Sequence, residues 1–252
     1  MDEGPLRNGA ESLVLTLVGS GVEVCFANPG TSEMHFVAAL DRISGMKAIL
    51  ALFEGVATGA ADGYGRLAEK PACTLLHLGP GLANGLANLH NARRAATPMV
   101  NILGDPATYH SRYDAPLASE VAAFARPVSG WVQSSPSALT VAADAARAVQ
   151  ASMEAPGQIA TLILPADTAW SKAGQAAPVL PRPRVATADS KAVDRVAKAL
   201  KSLSRAWVQS AWRVYMALPS PSRQTTLRSG HATAAPVPTG TMPPIAPPDR
   251  LR

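Results

Sequence analysis

The sequence predicts an α/β domain with a doubly wound, mainly parallel sheet that carries helices on both faces. Short apolar runs alternate with segments of helical periodicity, and most of the runs end in turn-forming residues. Hydrophobic residues make up 47% of the 252 residues, which is enough for a sizeable core. Strands that alternate with helices of this length favour parallel pairing, because each connection must cross back over the sheet.

The predicted elements follow one another without long gaps up to residue 104. Asn8, with Glu11 three residues later, starts the first helix as a capping box. In chain order the predicted elements are a helix over 8–21, a strand over 22–27, a turn over 28–33, a helix to residue 40, a strand over 47–53, a helix over 54–66, a strand over 72–78, a turn over 79–81, a helix over 82–96 and a strand over 99–104. Prolines interrupt residues 105–136, which are predicted to be irregular, and a helix over 137–154 and a strand over 159–164 complete the domain.

Changes in amino-acid composition along the sequence predict where the folded domain ends and other segments begin. The prediction is a folded domain over 1–172, a proline-rich linker over 173–189, the start of a truncated further domain over 190–204 and a disordered tail over 205–252. The tail holds eight of the 22 prolines, and the abrupt change near Ser204 is typical of a truncation or a change of reading frame. We therefore expect proteases to cleave the tail rapidly.

The tail also explains the net charge of +5, because it carries six arginines against a single aspartate. The rest of the chain is neutral, so no nucleic-acid partner is predicted. No apolar run is long enough for a membrane span, and the N-terminus lacks an apolar signal core. Cys25 and Cys73 lie in predicted strands without metal-like spacing, so we expect buried thiols, no metal site and a cytoplasmic protein.

The helix predicted to start at Glu54 is unusually rich in small residues. These are Gly55, Ala57, Gly59, Ala60, Ala61, Gly63 and Gly65. Each glycine costs roughly 1 kcal/mol relative to alanine in an exposed helix. Close approach of another backbone or of a cofactor would offset this cost. We expect this face to form a subunit contact, and the chain to form a dimer or a larger homo-oligomer.

Three turns at predicted strand ends carry the residues that suit chemistry. Because the carboxyl ends of parallel strands share one edge of a sheet, Thr31, Glu54, His77 and Asn84 can converge there. A hydroxyl, a carboxylate and an imidazole in one cleft suit proton transfer. Each also has a structural explanation: a helix cap for Thr31, a first-turn carboxylate for Glu54, a buried structural histidine for His77 and a turn former for Asn84.

A second interpretation starts from Gly79, Gly81 and Gly85, which form a G-x-G-x-x-x-G turn after a strand. Asp105 at the next strand end would then bind a ribose, as in a dinucleotide-binding oxidoreductase domain. Pro80 and the longer gap depart from the usual fingerprint, and this interpretation leaves the helix at Glu54 unexplained. A non-catalytic binding protein on the same fold is the other alternative.

Several segments together resemble the pyrimidine-binding domain of thiamine-diphosphate enzymes, and most closely that of acetolactate synthase large subunits and benzoylformate decarboxylase. These segments are Asn28-Pro29-Gly30-Thr31, Leu50 to Glu54, Ala61-Asp62-Gly63-Tyr64, Lys70-Pro71-Ala72, Leu76-His77 and Gly81-Leu82-Ala83-Asn84. Further matches, at Arg126-Pro127 to Trp131 and Leu164-Pro165 to Trp170, extend the similarity over residues 8–175. The resemblance implies a flavodoxin-like fold and an enzyme that decarboxylates or joins small 2-oxo acids.

The resemblance also implies roles for individual residues. The glutamate that matches Glu54 bonds to N1′ of the cofactor's aminopyrimidine ring and promotes loss of the C2 proton, while the cofactor supplies the remaining chemistry. His77 matches a histidine that transfers protons in benzoylformate decarboxylase, and Thr31 matches a serine of that enzyme that contacts the substrate carboxylate. Pro29, Gly30, Gly81 and Asn84 are carried over, with Glu54, as cofactor-binding residues.

The family's Gly-Asp-Gly to Asn motif, which holds Mg²⁺ and the diphosphate, has no counterpart in this sequence. We therefore expect the chain to bind only the pyrimidine half of thiamine diphosphate, Mg²⁺ to come from a domain that is missing, and the chain to be inactive alone. Some family members also hold FAD, which the resemblance leaves open.

Overall fold

The computed structural model describes residues 7–183, 185 and 187–202, and the chain divides into units over 1–186 and 187–252. The described strands are β1 Arg7–Asn8, β2 Val24–Asn28, β3 Lys47–Leu50, β4 Ala72–Leu76, β5 Met99–Asp105, β6 Trp131–Ser134, β7 Ile159–Pro165 and β8 Lys172–Ala173. The described helices are α1 Gly9–Gly19, α2 Met34–Arg42, α3 Glu54–Ala68, α4 Leu78–Arg94, α5 Val121–Ala125, α6 Val141–Ser152, α7 Ala166–Trp170 and α8 Ser190–Ser202, with single 3-10 turns at Thr31–Glu33 and Ser111–Tyr113.

Six of these strands form one sheet in the order β3-β2-β4-β5-β7-β6, and every pairing between them is parallel. The chain runs outward from β2 to β3 and then crosses back to β4 on the other side of β2. The strand order therefore reverses between β2 and β4, which is where open α/β sheets place their ligands. This topology confirms the predicted fold class.

Helices cover both faces of the sheet, and the strands alternate accordingly. The helices α1, α2 and α6 pack on one face, and α3, α4 and α5 on the other. In β4, Cys73 and Leu75 belong to the core under α1, whereas Ala72 and Leu76 belong to the core under α3. Both thiols are buried and free, as the sequence predicts.

A chain of buried polar side chains crosses the centre of the sheet. Thr74 Oγ1 donates to Asn101 Oδ1 at 2.8 Å, and Asn101 Nδ2 donates to Thr161 Oγ1 at 3.2 Å. Thr161 also hydrogen-bonds to Ser129 at 2.7 Å. Thr74, Asn101 and Thr161 lie on register-matched positions of β4, β5 and β7, so one hydrogen-bonded row links three strands.

The first predicted helix is confirmed in detail. Asn8 Oδ1 accepts from the Glu11 amide at 2.8 Å, and the Glu11 carboxylate accepts from the Asn8 amide at 3.1 Å. This is the reciprocal capping box that the sequence predicts. The short strands β1 and β8, which were not predicted, pair antiparallel beside it.

The predicted turn over 79–81 is wrong, because α4 starts at Leu78 and contains those residues. Leu78 takes a φ of +53°, and the Gly81 amide already donates to the His77 carbonyl at 2.8 Å. Pro80 does not break the helix, since the first turn has no intrahelical use for its missing N–H. The irregular segment predicted over 105–136 is wrong in part, because it contains α5 and the edge strand β6.

The helix predicted from Ser137 starts later, at Val141, and the Ser137 carbonyl instead accepts from the Thr140 hydroxyl at 3.1 Å. The segment predicted as a linker has no regular structure over 174–183, yet hydrogen bonds attach it to α1 and α6. The Gly174 carbonyl accepts from Ser12 at 2.5 Å, and the Pro181 carbonyl accepts from Gln150 at 2.9 Å.

In the second unit the described residues form α8, whose first amides are capped by Asp189. The tail predicted over 205–252 lies outside the described residues. Within the part of the chain that the structure describes, no helix is both long and apolar enough to cross a membrane.

Candidate active site

The loops after β2 and β4 face each other at the point where the strand order reverses. The loop after β2 turns through Gly30 into the 3-10 turn Thr31–Glu33, and β4 ends one residue before His77. These strands are direct neighbours, with Asn28 opposite Leu76. The topology therefore brings the Thr31 and His77 loops together, as the sequence predicts.

Glu33 links the two loops. Its Oε2 atom lies 2.8 Å from Nδ1 of His77 and accepts from the Gly30 amide at 2.7 Å. A Cβ atom built on Gly30 would lie 2.3 Å from the His77 ring, so only glycine permits this approach. The carboxylate thus fixes the orientation of the imidazole and the path of the loop.

The Glu33 carboxyl group is almost completely buried, with 1% of the side chain exposed. Its Oε1 atom has no hydrogen-bond partner among the described residues, and a Cβ on Gly104 would collide with it. Burial raises the pKa of Glu33 above its ordinary value, while the Gly30 amide and His77 oppose the rise. Glu33 and His77 therefore form a close carboxyl–imidazole pair at the carboxyl end of the sheet.

Glu54 occupies the first position of α3, four residues after the end of β3. Only 8% of the residue is exposed. Its Oε2 atom accepts from Nδ2 of Asn84 at 3.0 Å. No hydrogen bond of the described residues reaches Oε1, which faces Gly81, where a Cβ would lie only 3.0 Å away. One carboxylate oxygen of Glu54 therefore has a hydrogen-bond partner, and the other, the open oxygen, has none among the described residues and lies beside Gly81.

Gly81 connects this pair with the imidazole. A Cβ on Gly81 would lie 3.5 Å from His77 Cβ as well as close to Glu54. The structure therefore brings Glu54, Asn84, Gly81 and His77 together around the first turn of α4. Pro29 is half-buried in the turn that precedes Gly30, and no polar contact of its own is described.

A cavity of about 400 Å³ opens beside this cluster. Thr31, Ser32 and His77 line one part of it, and neither hydroxyl of the first two has a hydrogen bond within the described residues. The remaining lining comes from α2, the start of α4, the segment after β5, and α7: His35, Leu78, Pro106, Ala107, Tyr109, His110, Ala115, Pro116, Leu117, Ala166 and Trp170. Glu54 lies outside this lining, so the predicted residues form two adjoining parts of one site.

Sequence reasoning missed Glu33 as a member of the site. Its only local signal is a carboxylate three residues after Gly30, which is typical of a helix cap. Its important partner, His77, lies 44 residues further along the chain.

Asp105, at the end of β5, is half-buried, and burial together with the Glu120 charge raises its pKa to about 6.

The dinucleotide interpretation does not fit the geometry of α4. The space beside Gly79 is filled by Ser119, whose Oγ would lie 2.3 Å from an added Cβ, and the space beside Gly81 by Glu54. Neither glycine leaves an open cradle for a pyrophosphate. Within the described residues no group of three or more His, Cys, Asp or Glu side chains could hold a metal ion.

The doubly wound sheet carries a buried glutamate, Glu54, at the start of α3, on the edge of the sheet where such folds bind ligands. The family model "Thiamine pyrophosphate enzyme, N-terminal TPP binding domain" matches residues 7–134. The chain belongs to this family of thiamine pyrophosphate enzymes and contains its N-terminal cofactor-binding domain, so the oxidoreductase alternative is not supported.

Individual members of this family with known names are also similar to the chain. The chain is 64% identical over 174 residues to "Putative acetolactate synthase large subunit IlvX" of Mycobacterium tuberculosis, a match that covers 69% of this chain and 34% of that protein. It is 33% identical over 123 residues to the acetolactate synthase large subunit of Buchnera aphidicola, covering 49% of this chain and 22% of the relative. The chain therefore spans about a third or less of the relatives that it matches.

A solved structure agrees with the fold. It is an X-ray structure from Mycobacterium smegmatis described as "a putative thiamin diphosphate-dependent enzyme". The TM-score is 0.66 at 25% sequence identity, over 79% of this chain and 38% of the other.

Proposed function

We propose that this chain supplies the pyrimidine-binding half of a thiamine-diphosphate site in an acetolactate synthase-like enzyme that decarboxylates or joins 2-oxo acids. The single observation that carries the proposal is Glu54, a buried carboxylate with one open oxygen beside Gly81. The family membership supports the cofactor, and the named relatives support the acetolactate synthase-like chemistry.

The residues around Glu54 fit the aminopyrimidine ring. When it carries a proton, its open Oε1 atom can donate a hydrogen bond to a ring nitrogen, and Asn84 holds the other oxygen in place. The absence of a side chain at Gly81 keeps the approach to Oε1 free. When bound, thiamine diphosphate supplies a carbon nucleophile that adds to 2-oxo acids. The role of the protein here is to orient the ring and to hold a proton at Glu54.

The Thr31 and His77 side of the site suits the substrate. The Thr31 hydroxyl faces the cavity and can donate to a carboxylate. His77, with Nδ1 fixed by Glu33, presents its other ring nitrogen for proton transfer. Glu33 acts through His77, so we assign it as a positioning residue.

We further propose that Mg²⁺ and the diphosphate are held by residues outside this chain, and that the 252-residue chain has no turnover of its own. A diphosphate-binding domain beside this chain would then complete the site. The exposed apolar residues near Glu54, including Leu52 and Val56, support an interface on this side.

The test uses a full-length protein in which residues 1–172 replace the matching domain of an acetolactate synthase relative. Hydrogen-deuterium exchange at C2 of bound thiamine diphosphate is followed by NMR. Glu54→Gln keeps the shape of the side chain but cannot shuttle the proton, so exchange should slow by at least about 10²-fold.

Glu69→Gln is the matched control, because Glu69 is an exposed glutamate at the other end of the same helix. It should leave the exchange rate unchanged. His77→Ala should also spare C2 exchange and slow the later proton transfers to substrate. Normal exchange in Glu54→Gln would overturn the proposed role of Glu54 and the function that rests on it.

A further inference from the structure

The helix α8, Ser190–Ser202, has one apolar face. Its larger apolar side chains, Val193, Val196 and Leu200, recur at a spacing of three and four residues, which places them in one stripe along the helix. They are 52%, 59% and 62% exposed, so the stripe faces solvent over about two turns. A continuous apolar surface of this kind prefers burial against another apolar medium.

The opposite face of α8 is basic. Lys191, Arg195 and Lys198 recur at the same spacing about half a turn away from the stripe, and Lys201 lies at the border of the two faces. All four side chains are exposed, and none of them has an ion-pair partner among the described residues. Asp194 is the one acidic residue of the helix, so α8 carries an excess of positive charge.

The start and the end of α8 both stabilise the helix. The Asp189 carboxylate accepts from the amides of Lys191 and Ala192 at 3.3 and 3.2 Å. Lys201 lies in the last turn, where the helix dipole favours a cation. The cap and the dipole therefore also stabilise the separation of the apolar face from the basic face.

A protein surface is a poor cover for this stripe. A second copy of α8 would bring a second set of cations and no additional excess of acids. The helix is also only 13 residues long, which is marginal for a paired helix. A shaped groove is usually filled by an aromatic anchor, whereas Val193, Val196 and Leu200 are all aliphatic.

A bilayer that contains anionic lipids suits both faces of α8. An amphipathic helix rich in Lys and Arg lies in the plane of the interface, with its apolar side chains among the upper parts of the acyl chains. Long basic side chains can bend back so that their charges reach the headgroups. Each basic residue near an anionic surface strengthens binding by about 5-fold.

We propose that α8 docks the chain on the surface of membranes that contain anionic phospholipids, with Val193, Val196 and Leu200 in the interface and the basic side chains at the headgroups. The binding is peripheral, because a helix that lies in the interface does not cross the bilayer. It is independent of the proposed cofactor site, because no residue assigned to that site belongs to α8.

Co-sedimentation of the 252-residue chain with large unilamellar vesicles tests this docking. We expect a partition coefficient at least about 10-fold larger for phosphatidylcholine vesicles with about 30 mol% phosphatidylserine than for phosphatidylcholine alone. Raising NaCl from about 0.1 M to about 0.5 M should weaken the binding by at least about 10-fold, because salt screens the surface charge. Absence of binding to the anionic vesicles, or equal binding to both kinds, would overturn the proposal.

Val196→Ser combined with Leu200→Ser removes apolar surface from the stripe without changing the charge. We expect the partition coefficient on anionic vesicles to fall by at least about 5-fold. Val179→Ser combined with Leu139→Ser is the matched control, since these side chains are 63% and 74% exposed and lie outside α8. The control should change binding by less than about 2-fold. Equal losses in both pairs would show that exposed apolar surface in general, and not α8, binds the vesicles.

Lys191→Gln combined with Lys198→Gln tests the basic face and keeps the helix, because lysine and glutamine have similar helix propensities. We expect at least about 10-fold weaker binding to anionic vesicles. Lys47→Gln combined with Lys172→Gln removes two exposed lysines outside α8 and should cost less than about 3-fold. Equal losses would assign the binding to net charge and refute a role of α8.

Sedimentation velocity of the Val196→Ser, Leu200→Ser variant separates a membrane from a second copy as the cover of the stripe. We expect its oligomeric state to match that of the unmodified chain. A dimer that becomes a monomer in this variant, with vesicle binding unchanged, would show that a second copy covers the stripe and that the proposal is wrong.

Discussion

Gly81 lies where the Glu54 carboxylate and the base of the His77 side chain meet. A Cβ there would approach Glu54 Oε1 to 3.0 Å and His77 Cβ to 3.5 Å. The position therefore tolerates no side chain if the open oxygen is to meet a cofactor. The same residue that opens the site also lies in the first turn of α4, where extra flexibility costs little.

Gly81→Ala is expected to weaken binding of thiamine diphosphate to the reconstituted full-length protein by about 10-fold, because the added methyl group crowds the open oxygen. Equilibrium titration followed by cofactor fluorescence quenching measures the change. Gly63→Ala is the control, since nothing lies within 4 Å of a Cβ at that helical position. Similar losses in both variants would show that helix propensity and not crowding is responsible.

The raised pKa of Asp105 predicts how the stability of the fold depends on pH. Burial, helped by the Glu120 charge, raises its pKa from an ordinary 3.8 to about 6. The folded state therefore binds this proton more tightly than the unfolded state, and the associated stability is present below pH 4 and lost as pH rises through 6.

Asp105→Asn, which mimics the protonated acid, should be more stable than the unmodified chain at about pH 8 and equally stable at about pH 4. Because Asp105 is only half-buried, we expect about 1 kcal/mol, or roughly 2–4 °C in the melting temperature. Thermal unfolding across this pH range checks it. Glu120→Gln should reduce the difference, and a difference that does not vary with pH would contradict the assignment.

At the scale of elements, the small residues of α3 allow this helix to pack closely against α4 of the same chain. The Gly55 carbonyl accepts from Nδ2 of Asn88 on α4 at 2.6 Å. A Cβ on Gly85 of α4 would lie 2.8 Å from the Thr58 methyl group. A Cβ on Gly59 of α3 would likewise lie 3.1 Å from Asn88 Nδ2, so close packing of α3 against α4 accounts for one small residue that the sequence analysis assigned to a subunit contact.

The remaining outer side of α3 stays available for a partner. Val56 is 58% exposed and Leu67 is 90% exposed, and Gly63 lies between them without a neighbour. Their spacing places them along one helical face. An apolar stripe of this kind prefers burial against another surface.

Val56→Asp combined with Leu67→Asp should shift the chain from dimer to monomer, since two charges would have to be desolvated in the contact. Sedimentation velocity at several concentrations measures the change, and at least about 10-fold weaker association is expected. Leu139→Asp is the control, because Leu139 is 74% exposed and lies outside α3. A monomeric unmodified chain, or a dimer that survives the double change, would refute the contact.

At the scale of the whole molecule, the features that the sequence predicts correctly are those set by interactions between residues close together in the chain. The Asn8–Glu11 capping box and the helix start at Glu54 depend on neighbours in the chain, and both are confirmed. Strand β6 was missed because it is a short, half-exposed edge strand between proline-containing segments. Glu33 was missed because its burial and its contact with His77 are products of strand order, which a single sequence does not display.

The buried row through Asn101 supports a prediction about stability. Its side-chain amide makes one hydrogen bond to Thr74 and one to Thr161, and all three side chains are fully buried. Asn101→Ala removes both bonds and should destabilise the fold by about 1–3 kcal/mol. Urea unfolding measures this loss. Ser134→Ala, on the exposed end of β6, should change stability by less than about 0.5 kcal/mol.

The hydrogen-bonded row of Thr74, Asn101 and Thr161 also favours the native register of the strands over shifted registers. A shift of two positions would keep the faces of β4, β5 and β7 oriented correctly, because side chains alternate between the two faces of a strand. Such a shift would move Asn101 away from both threonines and leave its amide without partners, at about 1–3 kcal/mol for each unpaired group. The hydrogen-bonded row therefore penalises misaligned strands that the alternation of faces alone would allow, and so keeps the carboxyl ends of β4, β5 and β7, including the end of β4 before His77, at the same level.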